Sequence, residues 1–342
     1  MKRTCELCEL DQIRTMQMAK NLMPNPGEIP SVNGMDIYGE EIQLNGIGGD
    51  HIIWVAFDSK KRIDLENRIL DAEQREALIL EFANKLKDPN QVREYLELMK
   101  KSGNLGIVES LKEYRHRGGM LISDATGHDL AAAKLTRGFH EAFLVGVNHE
   151  LYRKGKITSY LFESLNMRIC SSTDMANSIT VLYGEIINDG RFRYISAGHP
   201  TPVIFSNENN RIMDIPADRT RTSFAIGMVP SEDHLDKDIQ SGPIPEKRGT
   251  YGLKKRYSIN ELKLMNKGDI LLLYTDGLSD LRLKGTENTE GEMQDYFPGR
   301  LEEKLREVKH LSAKEIFGEI KKDIFEVSAP EDDIAYIVVK WV

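Results

Sequence analysis

Four acidic positions share one local setting. Asp50 follows Gly48-Gly49 and leads into the apolar run Ile52 to Phe57. Asp124 ends Met120-Leu121-Ile122-Ser123. Asp276 follows Ile270 to Thr275 and precedes Gly277, and Asp332-Asp333 open the run Ile334 to Val339. Aspartate is a poor strand residue, so four apolar strands that each carry it at a terminus suggest carboxylates gathered at one end of a sheet. Such a cluster repels itself and has to be neutralised. Hard oxygen donors with no Cys/His set beside them point to Mg²⁺ or Mn²⁺ rather than zinc. Two such ions, about 3.5–4 Å apart, would bind and activate a water for in-line attack on phosphorus. Taken singly, each Asp reads better as a turn cap; for all four together the turn-cap reading is the weaker one.

Two histidines invite a general-acid role. His199 sits in Ala197-Gly198-His199-Pro200, at a strand-to-strand turn where one bond to the backbone would account for it, so the structural reading is preferred. For His128 the two readings are balanced. Arg137 is the candidate phosphate clamp, set against a plain place on a solvated helix face.

The elements that must hold these residues follow from periodicity. Leu7 to Leu22 reads as an amphipathic helix that stops at Pro24. Met35 to Leu44 alternates as a strand, and Ile52 to Phe57 is another. Between about 60 and 117 the pattern turns helical: Leu78, Phe82 and Leu86 are spaced by four, and Asp88-Pro89 offers a cap followed by proline at the first helical position. This segment reads as a helical insertion. Helices are expected over Leu130–Val147, Ile157–Cys170, Arg300–Lys309 and Ala313–Val327. Ser178–Ile187, Arg191–Ser196 and Pro202–Phe205 read as a strand meander turning at Asn188-Asp189-Gly190. Ile270–Tyr274 and Ile334–Trp341 are further strands, and Ser231–Lys255 is a polar loop. Strands and helices come in blocks rather than as βαβ repeats, which favours α+β layers.

Composition narrows the function classes. With 342 residues, 40% apolar and 29% charged, the chain can bury a sizeable core. No apolar run approaches the roughly 20 residues of a membrane helix, and Met1 to Leu10 lacks a signal-peptide stretch, so a cytoplasmic protein is expected. The net charge of −8 without a basic tract argues against nucleic acid as a ligand. Cys5, Cys8 and Cys170 form an odd, small set that suits reduced thiols. The Cys5/Cys8 pair reads as helix-face residues more readily than as half a zinc site.

Five blocks carry a family resemblance. Gly48-Gly49-Asp50, Ser123-Asp124-Ala125-Thr126-Gly127-His128, Ser196-Ala197-Gly198-His199-Pro200, Tyr274-Thr275-Asp276-Gly277-Leu278 and Asp332-Asp333-Ile334 resemble, in order, the signature blocks of bacterial PPM-superfamily phosphatases of the sporulation stage II E type. That group includes phosphatases that control stress sigma factors by partner switching. Met18 to Pro24 is similar to its lead-in helix. The resemblance leaves out only residues 60–117 and 231–255. It implies an α+β fold, a four-layer αββα sandwich of two antiparallel sheets flanked by helices. It implies two Mn²⁺ or Mg²⁺ ions held by Asp50, Asp124, Asp276 and Asp332 and by the backbone carbonyl of Ala125, with Asp124 bridging both. The implied reaction is hydrolysis of phosphoserine or phosphothreonine on a regulatory protein, commonly an anti-sigma-factor antagonist, with no covalent phosphoenzyme.

This chain departs from the family pattern in places. His51 and Ile53 stand where an aromatic residue and a second Asp are usual. Ala19, Ala335 and Asp280 replace a common Gln, Thr and Glu. None of these removes an implied ligand. The expected organisation is a linker or regulatory helix over 1–25, offered as a homodimer contact or strut, and a phosphatase domain over 26–342. The insertion is expected to stand beside the metals, because it joins the strands that carry Asp50 and Asp124, and to select the substrate; a packed, stabilising decoration away from the site is the alternative. Two other readings compete: a catalytically silent pseudophosphatase that binds a phosphoprotein, and a helical adaptor built on the insertion.

Overall fold

The computed structural model describes residues 22–44, 48–57, 63–127, 130–172, 178–232, 252–287 and 293–342. The expected N-terminal helix up to residue 21, the Cys5/Cys8 pair, His128 and most of the 231–255 loop lie outside these residues.

In chain order the described residues form β1 (Met35–Ile42), β2 (Asp50–Val55), α1 (Leu65–Lys85), α2 (Pro89–Lys101), α3 (Ile107–Glu113), β3 (Arg117–Ala125), α4 (Leu130–Lys154), α5 (Ser159–Ser172), β4 (Ile179–Ile187), β5 (Arg191–Ala197) and β6 (Val203–Ser206). There follow β7 (Arg211–Ile212), β8 (Thr222–Ser223), β9 (Asn260–Lys263), β10 (Ile270–Tyr274), the short α6 (Asp276–Ser279), β11 (Arg282–Glu287), β12 (Met293–Asp295), α7 (Leu301–Val308), α8 (Ala313–Val327) and β13 (Ile334–Trp341).

Two sheets carry the fold. One has the order β1-β13-β10-β6-β7. The other runs β2-β3-β4-β5-β8, with β9 also on β5, and β11–β12 pair apart from both. Among the described strands the pairing is antiparallel except for the short β5–β8 contact. The inner faces meet through Ile52, Trp54, Ile122 and Leu182 on one side and Ile37, Leu271, Leu273 and Ile337 on the other. On the outer face of the β2–β5 sheet, Ile53, Val55, Leu121 and Val181 pack against Phe139, Phe143 and Val147 of α4 and Phe162 of α5. On the opposite outside, Leu272, Tyr336 and Val338 pack against Leu305 of α7 and Ile316, Ile320 and Ile324 of α8. The result is the expected αββα sandwich. It explains why β10 and β13 read as unbroken apolar runs: both of their faces are covered. No helix among the described residues is long and apolar enough to cross a membrane.

Two sequence expectations are corrected. The meander breaks after β5. β4 and β5 do form a hairpin, turning at Gly190 (φ +85°), but β6 crosses to the other sheet and pairs with β10. The Gly198-His199-Pro200 turn carries the chain across, with Gly198 at φ +68°, a conformation costly for a side-chain-bearing residue.

The second correction concerns the insertion. It is helical as expected, and the Asp88 side chain caps α2 by accepting from the Asn90 N–H at 2.9 Å. It does not leave from the metal end. β2 and β3 pair with Asp50 opposite Asp124 and Val55 opposite Gly119, and the insertion joins the Val55 end of β2 to the Arg117 end of β3. At about 3.4 Å per residue, its roots lie about 17 Å along the strands from the two aspartates. Leu65, Ile69 and Ala72 of α1 and Ile107, Val108 and Leu111 of α3 bury against the core. Tyr114 and Tyr183 each donate a hydroxyl to Glu185 Oε1 at 3.1 Å, and Arg117 donates to Glu185 Oε2 at 2.9 Å. These bonds fasten the returning chain to β4. By contrast α2 buries no residue.

Candidate metal centre

The register of β2 on β3 sets Asp50 directly opposite Asp124, at the shared end of the hairpin. Gly49 permits the approach. A Cβ there would come within 2.2 Å of the Ala125 carbonyl oxygen and 2.6 Å of Asp124 Oδ1. The Ala125 N–H donates to the Gly49 carbonyl at 3.1 Å. The other two implied ligands come from the second sheet. Asp276 begins α6 straight after β10, and Asp332 stands just before β13. Gly277 lets these ends converge, since a Cβ would meet the Asp333 carbonyl oxygen at 1.9 Å.

The electrostatics show one cluster. Burial pushes the Asp50 carboxyl well above the usual range, and Asp124, Asp333 and Asp276 push the same way against a lowering bond from Thr275. Burial also raises Asp124 to about 7, with Asp276, Asp332 and Asp333 adding repulsion. Asp276 is raised by burial and then by Asp280 and Asp332, although N–H groups of the first turn of α6 oppose the shift. Asp124 thus feels Asp276 and Asp332 from the other sheet, and Asp50 feels Asp124 and Asp276.

The donor set fits a divalent cation. Its side-chain members are carboxylates, the Ala125 carbonyl lies beside them, and their repulsion is what a cation would relieve. Among the described residues, no three such side chains already converge as a finished metal cage. Asp333 differs in role from its neighbour. Asp332 is exposed, whereas Asp333 is buried and accepts the Leu44 N–H at 2.7 Å, with Gly48 close against its carboxylate.

His199 is structural. Its Nδ1 lies 2.9 Å from Thr180 Oγ1, and its carbonyl accepts from Ser196 Oγ at 3.1 Å. Burial pushes the imidazole down to about 3, so it is neutral at ordinary pH and carries no imidazolium proton for general-acid work. Arg137 donates to the Leu22 carbonyl at 3.0 Å, tying the chain near Met23 to α4.

Three residues near the centre escaped the sequence reading. Thr275 donates its hydroxyl to Asp50 Oδ2 at 2.7 Å. Glu41 and His140 reach His51 from either side, at 2.8 and 2.9 Å. A hydroxyl beside Asp276 offered a weak signal for Thr275. Nothing in the spacing of Glu41 or His140 pointed to His51.

Comparison with solved structures agrees on the fold. The SiaA PP2C domain of Pseudomonas aeruginosa matches at a TM-score of 0.54 and 12% identity, with 100% of both chains covered. The RsbU and RsbW domains of a Mycobacterium tuberculosis protein match at 0.51 and 15% identity, over 91% of this chain and 61% of that one. The PP2C phosphatase domain of SpoIIE from Bacillus subtilis, with a fragment of its regulatory domain, matches at 0.51 and 13% identity, over 91% and 64%. This chain thus spans less than two thirds of the last two. No curated protein matches it in sequence. The family model for stage II sporulation protein E (SpoIIE) matches residues 115–342, about two thirds of the chain. Asp50 lies before that match, and strand pairing is what joins it to Asp124 inside it. The chain belongs to the stage II sporulation protein E family.

Proposed function

We propose that this chain is a metal-dependent protein phosphatase acting on phosphoserine or phosphothreonine. The observation that carries the reading is the pairing of Asp50 opposite Asp124, with Asp276 and Asp332 of the other sheet close enough to raise Asp124, in a member of the SpoIIE family. When bound, two Mg²⁺ or Mn²⁺ ions would supply Lewis-acid activation of a water and charge neutralisation at the phosphoryl group. Asp50, Asp124, Asp276, Asp332 and the Ala125 carbonyl would hold them. Thr275 orients Asp50, and Asp333 holds the Leu44 N–H. We take water as the direct nucleophile, with no covalent phosphoenzyme, as the family resemblance implies. A pseudophosphatase would be expected to lack a ligand, and all five positions are present.

The substrate we infer is a regulatory phosphoprotein, of the anti-sigma-factor antagonist class suggested by partner switching in similar proteins. The catalytic unit is taken as residues 26–342, with the segment before it as a linker. The test is hydrolysis of a generic aryl phosphate by the full chain, with and without Mn²⁺. Mn²⁺-dependent turnover that chelator abolishes supports the proposal. Undiminished turnover in chelator, or none with any divalent cation, overturns it.

A further inference from the structure

Beside Asp50 lies a buried polar chain that the proposed reaction does not use. Asp50 and His51 are consecutive in β2, and alternation sends their side chains to opposite faces. Asp50 faces the inter-sheet layer with Ile52 and Trp54. His51 shares the outer face with Ile53 and Val55. Glu41 reaches across from β1 in the other sheet. Its Oε1 accepts from His51 Nδ1 at 2.8 Å and from the backbone N–H of Ile52 at 2.8 Å. On the far side, His51 Nε2 is 2.9 Å from His140 Nδ1 on α4. Both histidines are buried, at 1% and 2% exposure, so water cannot replace a lost partner.

An ionised carboxylate only accepts, so Glu41 requires a proton on His51 Nδ1. One further proton is shared by the His51 Nε2–His140 Nδ1 contact. The chain links His140 through His51 to Glu41. It thereby threads three of the four layers: helix, sheet and sheet.

Its geometric effect falls on Asp50. β2 is an edge strand, so its outward N–H groups have no ladder partner. Glu41 takes the one at Ile52, and the Pro26 carbonyl takes the one at Trp54 at 2.8 Å. The start of β2 is therefore clamped on its open edge by Glu41 and on its helix side by His140, while Thr275 holds the Asp50 carboxylate itself. Family members usually place an aromatic residue where this chain has His51. An aromatic ring could fill the space, but it could not bond to Glu41 and His140 together.

We propose that Glu41, His51 and His140 are positioning residues that fix the Asp50 carboxylate for cation binding, a role specific to this chain's His51. The inference rests on the metal-centre reading above. Outer partners of metal ligands typically contribute about 10–100-fold in metal affinity.

The test is calorimetric titration of the purified full chain with Mn²⁺, alongside thermal unfolding in chelator. Glu41→Ala and His51→Phe should each weaken Mn²⁺ binding about 10–100-fold, while Glu41→Gln, which keeps an acceptor oxygen, should recover most of it. Wild-type Mn²⁺ affinity in both Glu41→Ala and His51→Phe, with only a lowered melting temperature, would show a purely structural stitch and overturn the proposal. Should those variants not fold, histidine ¹⁵N spectra of the wild type titrated with Mg²⁺ decide. Shifts of the His51 and His140 ring nitrogens that saturate with Mg²⁺ binding support it, and unmoved resonances at saturation overturn it. No Mn²⁺ binding by the wild type would overturn the metal-centre reading as well, whereas tight wild-type binding with unaffected variants removes the positioning role alone.

Discussion

Thr275 Oγ1 donates to Asp50 Oδ2 at 2.7 Å and accepts the Ala335 N–H at 2.9 Å. One buried hydroxyl thus links a carboxylate of the first sheet to the backbone of β13 in the second. Replacing Thr275 with Val keeps the shape and deletes both bonds. It should weaken Mn²⁺ binding about 10–100-fold, with turnover at saturating Mn²⁺ largely retained, whereas Thr275→Ser should bind nearly as wild type. Titration of activity against Mn²⁺ for the three proteins checks this. Equal half-saturation in all three would refute it.

Asp124→Asn and Asp276→Asn should have opposite effects on activity and stability. Each removes an implied ligand, so turnover should fall by two or more orders of magnitude. Each also removes one charge from a self-repelling cluster, so the melting temperature in chelator should rise, by about 2 °C per kcal/mol relieved. Scanning calorimetry in chelator reads the second effect. A fall there would mean that the carboxylates help to hold the metal-free fold.

The pH dependence carries a definite sign. Burial and neighbouring carboxylates raise Asp124 to about 7 and Asp50 well above the usual carboxyl range. Between about pH 4 and 7 the metal-free folded chain therefore binds more protons than the unfolded chain, and its stability falls as pH rises. In chelator the wild type should lose stability relative to Asp124→Asn as pH climbs from about 5 to 7.5, and saturating Mg²⁺ should flatten the difference. Parallel curves in chelator would contradict the assignment.

The insertion can be trimmed without touching the chemistry. Its inner parts are core, but α2 buries nothing and the outer half of α1 buries only Ala83. The Val108 N–H donates to Glu76 Oε1 at 3.1 Å, so residues 76 and 108 are already adjacent. Replacing 78–104 with a short Gly-Ser bridge should leave the fold and Mn²⁺-dependent aryl phosphate hydrolysis unchanged, while removal of 62–115 should unfold the chain by exposing the sites of Ile63, Leu65 and Ile69. Circular dichroism and the phosphate assay separate the two. Loss of aryl phosphate turnover in the folded 78–104 variant would return the insertion to the vicinity of the metals.

The placement of the aspartates at strand ends was legible in the sequence because each interrupts or ends an apolar run, a contrast that local patterning records. The helices were legible for the same reason: Asp88-Pro89 and the four-residue spacing are short-range signals. What remained hidden depends on pairing. The insertion's position followed from which end of β2 it leaves, and β6 changes sheets at a turn that looks like any hairpin. Glu41 and His140 are ordinary residues in their own elements and gain meaning only where β1, β2 and α4 meet. β9, with Asn260 and Leu262 facing inward, is too short for its alternation to stand out from the loop around it.

The aspartates divide evenly between the layers, with Asp50 and Asp124 on one sheet and Asp276 and Asp332 on the other. Neither sheet alone carries a complete set, so the ions we propose would act as rivets between two leaves. Parting the leaves would then require surrender of the ions, and stripping the ions would leave the apolar inner faces to hold the leaves together against the like charges. Metal content would then report how firmly the two halves of the sandwich are closed.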